Sequence, residues 1–168
     1  HGVFDFSQRM AKEIMVPKPD IYAISANDDR DSVLRYIIEN EFSRYPVYED
    51  HIDNIIGIVY QKDITRQIWT KQPFVLRKLM RKAFFVPDTI EISKLLKQMQ
   101  KRRLHMAVAV DEYGTVVGIL TLEDIIEEIF GEIMDETDVD DRVERLKDGS
   151  LVVDSSYSIR DVNDDLRL

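Results

Sequence analysis

Apolar positions along the chain follow two rhythms, and each rhythm occurs twice. Val33, Leu34, Ile37 and Ile38 recur at helical spacing behind Asp28-Asp29, and Ile92, Leu95, Leu96 and Met99 recur in the same way behind Asp88-Thr89. Both patterns predict a helix with one face in a core and an acidic start signal. Short, β-branched runs come next. Tyr45-Pro46-Val47-Tyr48 and Ile56-Gly57-Ile58-Val59 form the first pair; Met106-Ala107-Val108-Ala109 and Val117-Gly118-Ile119-Leu120 form the second, joined through Asp111-Glu112-Tyr113-Gly114 as a hairpin turn. Each half then closes on an Asp-Ile pair, Asp63-Ile64 or Asp124-Ile125, at the start of another helix. The prediction is strand, helix, strand, strand, helix, twice over. Strands apolar on both faces must be covered by helices, so the expected class is α/β with a small sheet in each repeat.

The spacing between copies supports a true repeat. Val47 and Val108, Gly57 and Gly118, and Asp63 and Asp124 are all 61 positions apart, whereas Ile14-Met15 and Leu79-Met80 are 65 apart. The first copy is therefore expected to carry about four extra residues near Pro17-Lys18-Pro19. Two copies of one supersecondary unit bury a shared core and tend to share a function. The resulting division is a lead-in helix at 1–13 (Val3, Phe4, Phe6, Met10 and Ile14 on one face), a first repeat at 14–70, a second at 71–134, and an acidic linker at 135–147. Residues 148–168 are expected to begin a further domain, with Leu151-Val152-Val153 as a strand and Ile159 to Leu166 as a helix, too little to fold alone.

Composition narrows the function. A chain of 168 residues that is 44% apolar and 33% charged falls in the globular range. The formal charge is −9, and ten carboxylates with no Lys or Arg lie between Glu123 and Asp141. A surface of that sign repels phosphate backbones and argues against nucleic acid as the partner. The basic runs Arg77-Lys78, Arg81-Lys82 and Lys101-Arg102-Arg103 read as solvated faces. With no cysteine there is neither a disulfide nor a thiolate site, and His51 and His105 alone do not assemble a transition-metal site. Asp135, Glu136, Asp138, Asp140 and Asp141 could hold a hard cation, although an acidic run of this composition is more often a solvated hinge. No phosphate-binding glycine loop, nucleophile elbow or His-Glu-x-x-His pair occurs, so an enzyme is not expected. No apolar run approaches the roughly 20 residues that span a bilayer.

Two such units ending in Gly-apolar-apolar-Thr-x-x-Asp resemble the tandem cystathionine-β-synthase-type (CBS) pair. Gly118-Ile119-Leu120-Thr121-Leu122-Glu123-Asp124-Ile125-Ile126-Glu127-Glu128-Ile129, with Ser43-Arg44-Tyr45-Pro46-Val47-Tyr48 and Ile14-Met15-Val16-Pro17, is similar to the cytosolic part of the CorC/HlyC (hemolysin-like) magnesium and cobalt transporters and their CNNM relatives. The similarity covers about residues 10 to 135. The tail from Arg142 resembles the start of that family's small transporter-associated domain.

The resemblance implies a regulatory module that binds an adenosine nucleotide, AMP or ATP, with or without Mg²⁺, in a cleft built by both repeats. Carried over by position, the adenine-facing wall would come from Asp20, Ile21, Tyr22, Phe42, Ser43 and Arg44, and the ribose and phosphate side from His105, Met106, Ile119, Thr121 and Asp124. Those residue types suit the task. A carboxylate opening a helix accepts ribose hydroxyls, the helix amino terminus and a Thr hydroxyl offer donors to phosphate, and Arg44 and His105 would add positive charge. Thr121-Leu122-Glu123-Asp124 is also a capping-box pattern, which is compatible with ligand contact. A pseudo-symmetric second cleft would use Phe84, Phe85, Leu104 and His105 with Tyr60 and Asp63. There Tyr60 replaces the Thr, and the cleft is expected to be empty or weak. The resemblance further implies a homodimer through the repeats, with Ile125, Ile126 and Ile129 as surplus apolar positions, and an attached membrane domain on whose cytoplasmic face the module would lie. The competing expectation is a ligand-free dimerisation domain of the same membrane protein.

Overall fold

The structure, a computed structural model, describes residues 9–137. The greater part of the expected lead-in helix, Asp138, Asp140 and Asp141, and all of 148–168 lie outside the described residues.

Each repeat is preceded by a four-residue helix and a crossing segment. The order is α1 (Ala11–Ile14), β1 (Val16–Pro17), a 3₁₀ turn (Lys18–Asp20), β2 (Ile24–Ser25), α2 (Arg30–Asn40), β3 (Arg44–Glu49), β4 (His51–Tyr60) and α3 (Gln61–Trp69). The second copy runs α4 (Leu76–Leu79), β5 (Phe85–Pro87), α5 (Ile92–Arg102), β6 (Met106–Val110), β7 (Val116–Thr121) and α6 (Leu122–Thr137). The 3₁₀ turn is where the first copy holds its extra residues. The α/β class and the twofold strand, helix, strand, strand, helix order are as the sequence predicts.

Local signals explain most boundaries. Asp29 caps α2, its Oδ1 accepting the Ser32 N–H at 2.8 Å. That bond holds the Asp29 carboxyl below its usual pKa range. In the second copy the expected start at Asp88-Thr89 is displaced, and α5 begins at Ile92. The intervening segment is occupied otherwise: Ile90 carbonyl accepts the Ala11 N–H at 2.8 Å, and Ile92 N–H donates to the Arg9 carbonyl at 2.9 Å. An edge needed by the N-terminal segment overrides the start signal.

The sheets are exchanged between the repeats. β2 runs parallel to β3 and β3 antiparallel to β4, while the second sheet has the order β1-β7-β6-β5. β1 precedes the first repeat yet pairs with β7 of the second, Val16 opposite Ile119 and Pro17 opposite Gly118. The mirror contact is a bridge between Ile58 and Arg81, whose N–H and carbonyl groups exchange bonds of 2.7 and 2.9 Å. Both crossings require a glycine beneath them. A Cβ on Gly118 would lie 2.5 Å from Met15 Sδ and 2.6 Å from the Val16 carbonyl oxygen, and one on Gly57 would lie 3.0 Å from Met80 Cβ. The Ile-Met/Leu-Met and Gly-Gly recurrences of the sequence are thus one feature, a backbone passing over a side-chain-free position.

One alignment shifts. Val47 pairs with Gly57, but Gly118 pairs with Ala109, not Val108. The first hairpin is therefore a residue longer, and two register shifts near Tyr48 absorb the difference. In the first strand of each hairpin the true offset is 62, which makes Arg44 the counterpart of Met106 and Ser43 that of His105.

Burial forms three clusters. Ile24, Val33, Ile37, Tyr45, Val47, Val59 and Ile64 make the first repeat's core, and Ile92, Leu95, Leu96, Met99, Leu120, Leu122 and Ile125 the second's. Ile55, Ile58, Met106, Val108, Val116 and Ile119 fill the space between the sheets. Ile125 is fully buried, and Ile126 and Ile129 pack against the same cluster, so the chain's own core uses the three isoleucines expected at a dimer contact. Among the described residues, the exposed large apolar side chains on the helices are Ile38 and Trp69, 70% and 85% accessible.

Candidate functional site

Where the repeats meet, a cleft of about 340 Å³ opens beside β7 and the first turn of α6. That volume falls within the range of small-molecule sites. Its walls come from both copies: Val16, Tyr22, Glu41, Phe42, Ser43 and Arg44 on one side, and Met106, Ile119, Thr121, Glu123 and Asp124 on the other.

One end is aromatic. Tyr22 and Phe42 are about half exposed and their rings lie 5.1 Å apart. Behind them Tyr45 is fully buried, its hydroxyl accepting the Phe42 N–H at 2.9 Å and its ring 6.0 Å from that of Phe42. Burial raises the Tyr45 pKa, which keeps the hydroxyl neutral. This bond fixes the turn that leaves α2 through Glu41, a C-cap in the left-handed region at φ 55°. Tyr45→Phe is expected to cost about 1 kcal/mol by orphaning the Phe42 N–H, read as a lower urea midpoint at unchanged slope.

The other end is polar. Thr121 caps α6, its Oγ1 accepting the Asp124 N–H at 3.1 Å. Asp124 is half-buried, and among the described residues no hydrogen bond or ion pair engages its carboxylate. Between the two ends stands Arg44. Only 14% of its side chain is exposed; Nη1 donates to Glu123 Oε2 at 2.9 Å, and its buried Nε has no partner. Burial works against the Glu123 carboxylate, but the Arg44 bond, the Glu123 backbone N–H and the charges of Arg44 and His105 together lower its pKa.

The pseudo-symmetric region differs in each of these respects. Tyr60 occupies the place of Thr121, with the Arg81 guanidinium 3.9 Å above its ring and Arg44 and Lys62 at 5.5 and 5.8 Å. Asp63, the counterpart of Asp124, accepts from Arg81 Nε at 3.2 Å and Nη2 at 2.9 Å, and Arg66 lies 3.8 Å away. Arg81 itself stands where Val16 stands in the open cleft, both being the residue at the crossing. One half leaves a free carboxylate beside an aliphatic wall; the other fills the equivalent space with an aromatic–guanidinium stack.

Eight of the residues singled out from the sequence line the open cleft: Tyr22, Phe42, Ser43, Arg44, Met106, Ile119, Thr121 and Asp124. Three do not. Asp20 is exposed in the 3₁₀ turn, and Ile21 packs against the core between the sheets. His105 contributes its carbonyl to the Leu122 N–H at 2.9 Å. Burial lowers the His105 pKa, and Arg44, Lys62 and Arg81 press it in the same direction, so it supplies less positive charge than expected. Val16, Glu41 and Glu123 are lining residues that the sequence reading passed over. Val16 and Glu123 lay inside quoted motifs; Glu41 carried no signal beyond preceding Phe42.

Comparison with known proteins bears on what such a cleft holds. A family model described as the CBS domain matches residues 11–70 and again 76–131. Hemolysin C of Brachyspira hyodysenteriae is 37% identical over 163 residues, covering 96% of this chain and 60% of that protein. The magnesium and cobalt efflux protein CorC of Pasteurella multocida is 36% identical over 165 residues, 96% of this chain and 55% of that protein. The chain thus spans little more than half the length of these relatives. Among solved structures, the CBS domain of a bacterial CNNM/CorC-family Mg²⁺ transporter in complex with ATP aligns with a TM-score of 0.72 at 34% identity, over 76% of this chain and 92% of that one. A CBS-domain pair with bound AMP from Klebsiella pneumoniae aligns with a TM-score of 0.66 at 31% identity, over 72% of this chain and 98% of the other.

Proposed function

Because the chain belongs to the CBS-domain family, as a tandem pair of the CorC and hemolysin C type, we propose that it is a regulatory module whose cleft between the repeats binds an adenine nucleotide. The observation that supports this most directly is the cleft's ordered chemistry. Two exposed aromatic rings, one cation and one unengaged carboxylate at a capped helix start follow one another across about 340 Å³. Adenine would lie against Tyr22 and Phe42, the ribose hydroxyls on Asp124, and the phosphate between Arg44 and the first turn of α6. Similarity to an ATP complex and to an AMP complex leads to the same ligand class. The second region, with Asp63 held by Arg81, is left out of the proposal.

Regulation follows from placement. A ligand that touches Tyr22 and Arg44 in one repeat and Thr121 and Asp124 in the other favours one relative arrangement of the two, and only such differential contact can shift a population. In the longer protein this shift would bias an attached membrane domain for magnesium or cobalt efflux, with the module at its cytoplasmic face and associated as a homodimer through the repeats. Exposed Ile38 and Trp69 are the apolar helix positions available for that association. No described helix is long and apolar enough to cross a membrane. The module acts as a binding device, with no catalytic residue.

Calorimetric titration with AMP and ATP, with and without Mg²⁺, tests the reading. Binding to one site per chain is expected, and Asp124→Ala should weaken it by about 1.5–3 kcal/mol through lost charge-assisted bonds. A folded protein that gives neither heat nor a melting shift at millimolar nucleotide would be a structural dimerisation domain instead.

A further inference from the structure

Along the outer side of the second repeat, a groove of about 900 Å³ runs between β5 and α5, and it shares no lining residue with the nucleotide cleft. One wall is a sheet edge, because β5 ends the order β1-β7-β6-β5. The Val108 N–H donates to the Phe84 carbonyl at 2.8 Å and the Asp88 N–H to the Val110 carbonyl at 2.9 Å, so residues 84, 86 and 88 turn their backbone groups toward β6. Phe85, between them, turns its N–H and carbonyl to the open side. Pro87 has no N–H, its carbonyl accepts from Ile90 at 3.0 Å, and the edge stops there. The other wall is a stripe of α5. Lys94, Gln98 and Arg102 recur at every fourth position, and the Arg102 guanidinium is set over the Phe84 ring at 4.7 Å. Lys82 and Arg102, which the sequence places in separate basic runs, meet here with Lys94, and Glu91 is the one lining acid. Among the described residues, none of the three cations is held in an ion pair. In a chain of net charge −9 the groove is a local reversal of sign.

We propose that this groove docks an extended acidic segment of a partner protein, which adds as a strand beside β5 with its carboxylates toward α5. Two spacings agree. Side chains on one face of a strand repeat about every 6.6 Å, and helix positions four apart repeat about every 6 Å. Carboxylates at alternate positions of the segment therefore meet Lys94, Gln98 and Arg102 in turn. The intervening side chains fall on the opposite face. Phe84 and Val86 pack into the second repeat's core, so Phe85 alternates to that opposite face, where it is 48% exposed and suits apolar neighbours. The open edge supplies main-chain bonds and the α5 stripe supplies the choice of sequence, as in other cases of strand addition. A lipid headgroup surface could use the cations but would leave the Phe85 N–H and carbonyl without strand partners, which favours a polypeptide.

Fluorescence anisotropy of a labelled peptide of alternating Val and Glu, titrated with the 168-residue chain at low salt, is the test. The alternating peptide should bind about fivefold tighter than a block peptide of the same composition, all Val followed by all Glu, because only the alternating one can pair with β5 and face α5 at once. Lys94→Glu combined with Arg102→Glu should weaken it by about tenfold or more, two attractions having become repulsions. Both positions are exposed, and an unchanged urea midpoint shows that the fold is kept. Lys94→Ala alone should weaken binding by about threefold. Equal binding of the two peptides overturns the inference and leaves charge attraction alone. Binding of phosphatidylserine-containing vesicles in place of the alternating peptide also overturns it and makes the groove a membrane-facing patch. So does the absence of binding by either peptide at millimolar concentration.

Discussion

Gly118→Ala is expected to destabilise the chain by about 3 kcal/mol, a large effect for one added methyl group. The new Cβ would sit 2.5 Å from Met15 Sδ and 2.6 Å from the Val16 carbonyl oxygen. The methionine can swing aside, but the carbonyl belongs to the β1–β7 pairing at Val16 and Ile119 and cannot move without breaking it. Gly57→Ala meets the same architecture more loosely, at 3.0 Å from Met80 Cβ and 3.1 Å from the Arg81 carbonyl oxygen. Its expected cost is about 1 kcal/mol. Urea unfolding of the two variants side by side measures the difference; equal midpoints would show that the crossings relax freely. Gly118→Ala should also weaken nucleotide binding, because Val16 lines the cleft.

Arg44→Ala carries the largest expected functional effect. The change leaves Glu41, Glu123 and Asp124 lining the cleft with no lining cation to offset them. Loss of one charge-assisted partner together with unopposed repulsion should weaken AMP and ATP by between about tenfold and a hundredfold, while adenosine is affected only weakly. The fold should tolerate it. Glu123 is 61% exposed and becomes solvated once released, so the stability cost is confined to packing lost around the Arg44 stem. Titration with the three ligands checks the pattern, and an equal loss for adenosine would mean that the aromatic end of the cleft had collapsed with the arginine.

The fold was legible because its governing features are periodic. Helical spacing at Val33–Ile38 and Ile92–Met99 and the doubled glycine-to-aspartate interval are properties of local sequence, and tertiary contact did not overrule them. Two features escaped. The start of α5 was misplaced because Ile90 and Ile92 bond to Ala11 and Arg9, partners about 80 residues away that no local signal announces. The one-residue difference between the hairpins was hidden because valine recurs at the interval of 61, whereas the ladder pairs Ala109 with Gly118.

In the cleft, Tyr22, Phe42, Arg44, Thr121 and Asp124 could be named from motif positions. Glu123 could not be given its place, since nothing in a Thr-Leu-Glu-Asp run says which acid turns toward an arginine 79 positions earlier. The same limit applied to Arg81. It read as part of a basic surface run, yet it closes the second region by lying on Tyr60 and holding Asp63.

The exchanged edges also set an order of assembly during synthesis. Pairing of Val16 with Ile119 joins residues about 100 positions apart, and contacts of such separation form late and slowly. As the chain leaves the ribosome, Tyr22, Phe42 and Arg44 emerge long before Thr121 and Asp124. The cleft cannot exist until α6 is made and β1 has waited for its partner. A nascent chain stalled after the first repeat would display an unclosed sheet edge at Ile58 and an aromatic pair with nothing to face, the state that a chaperone would be expected to hold.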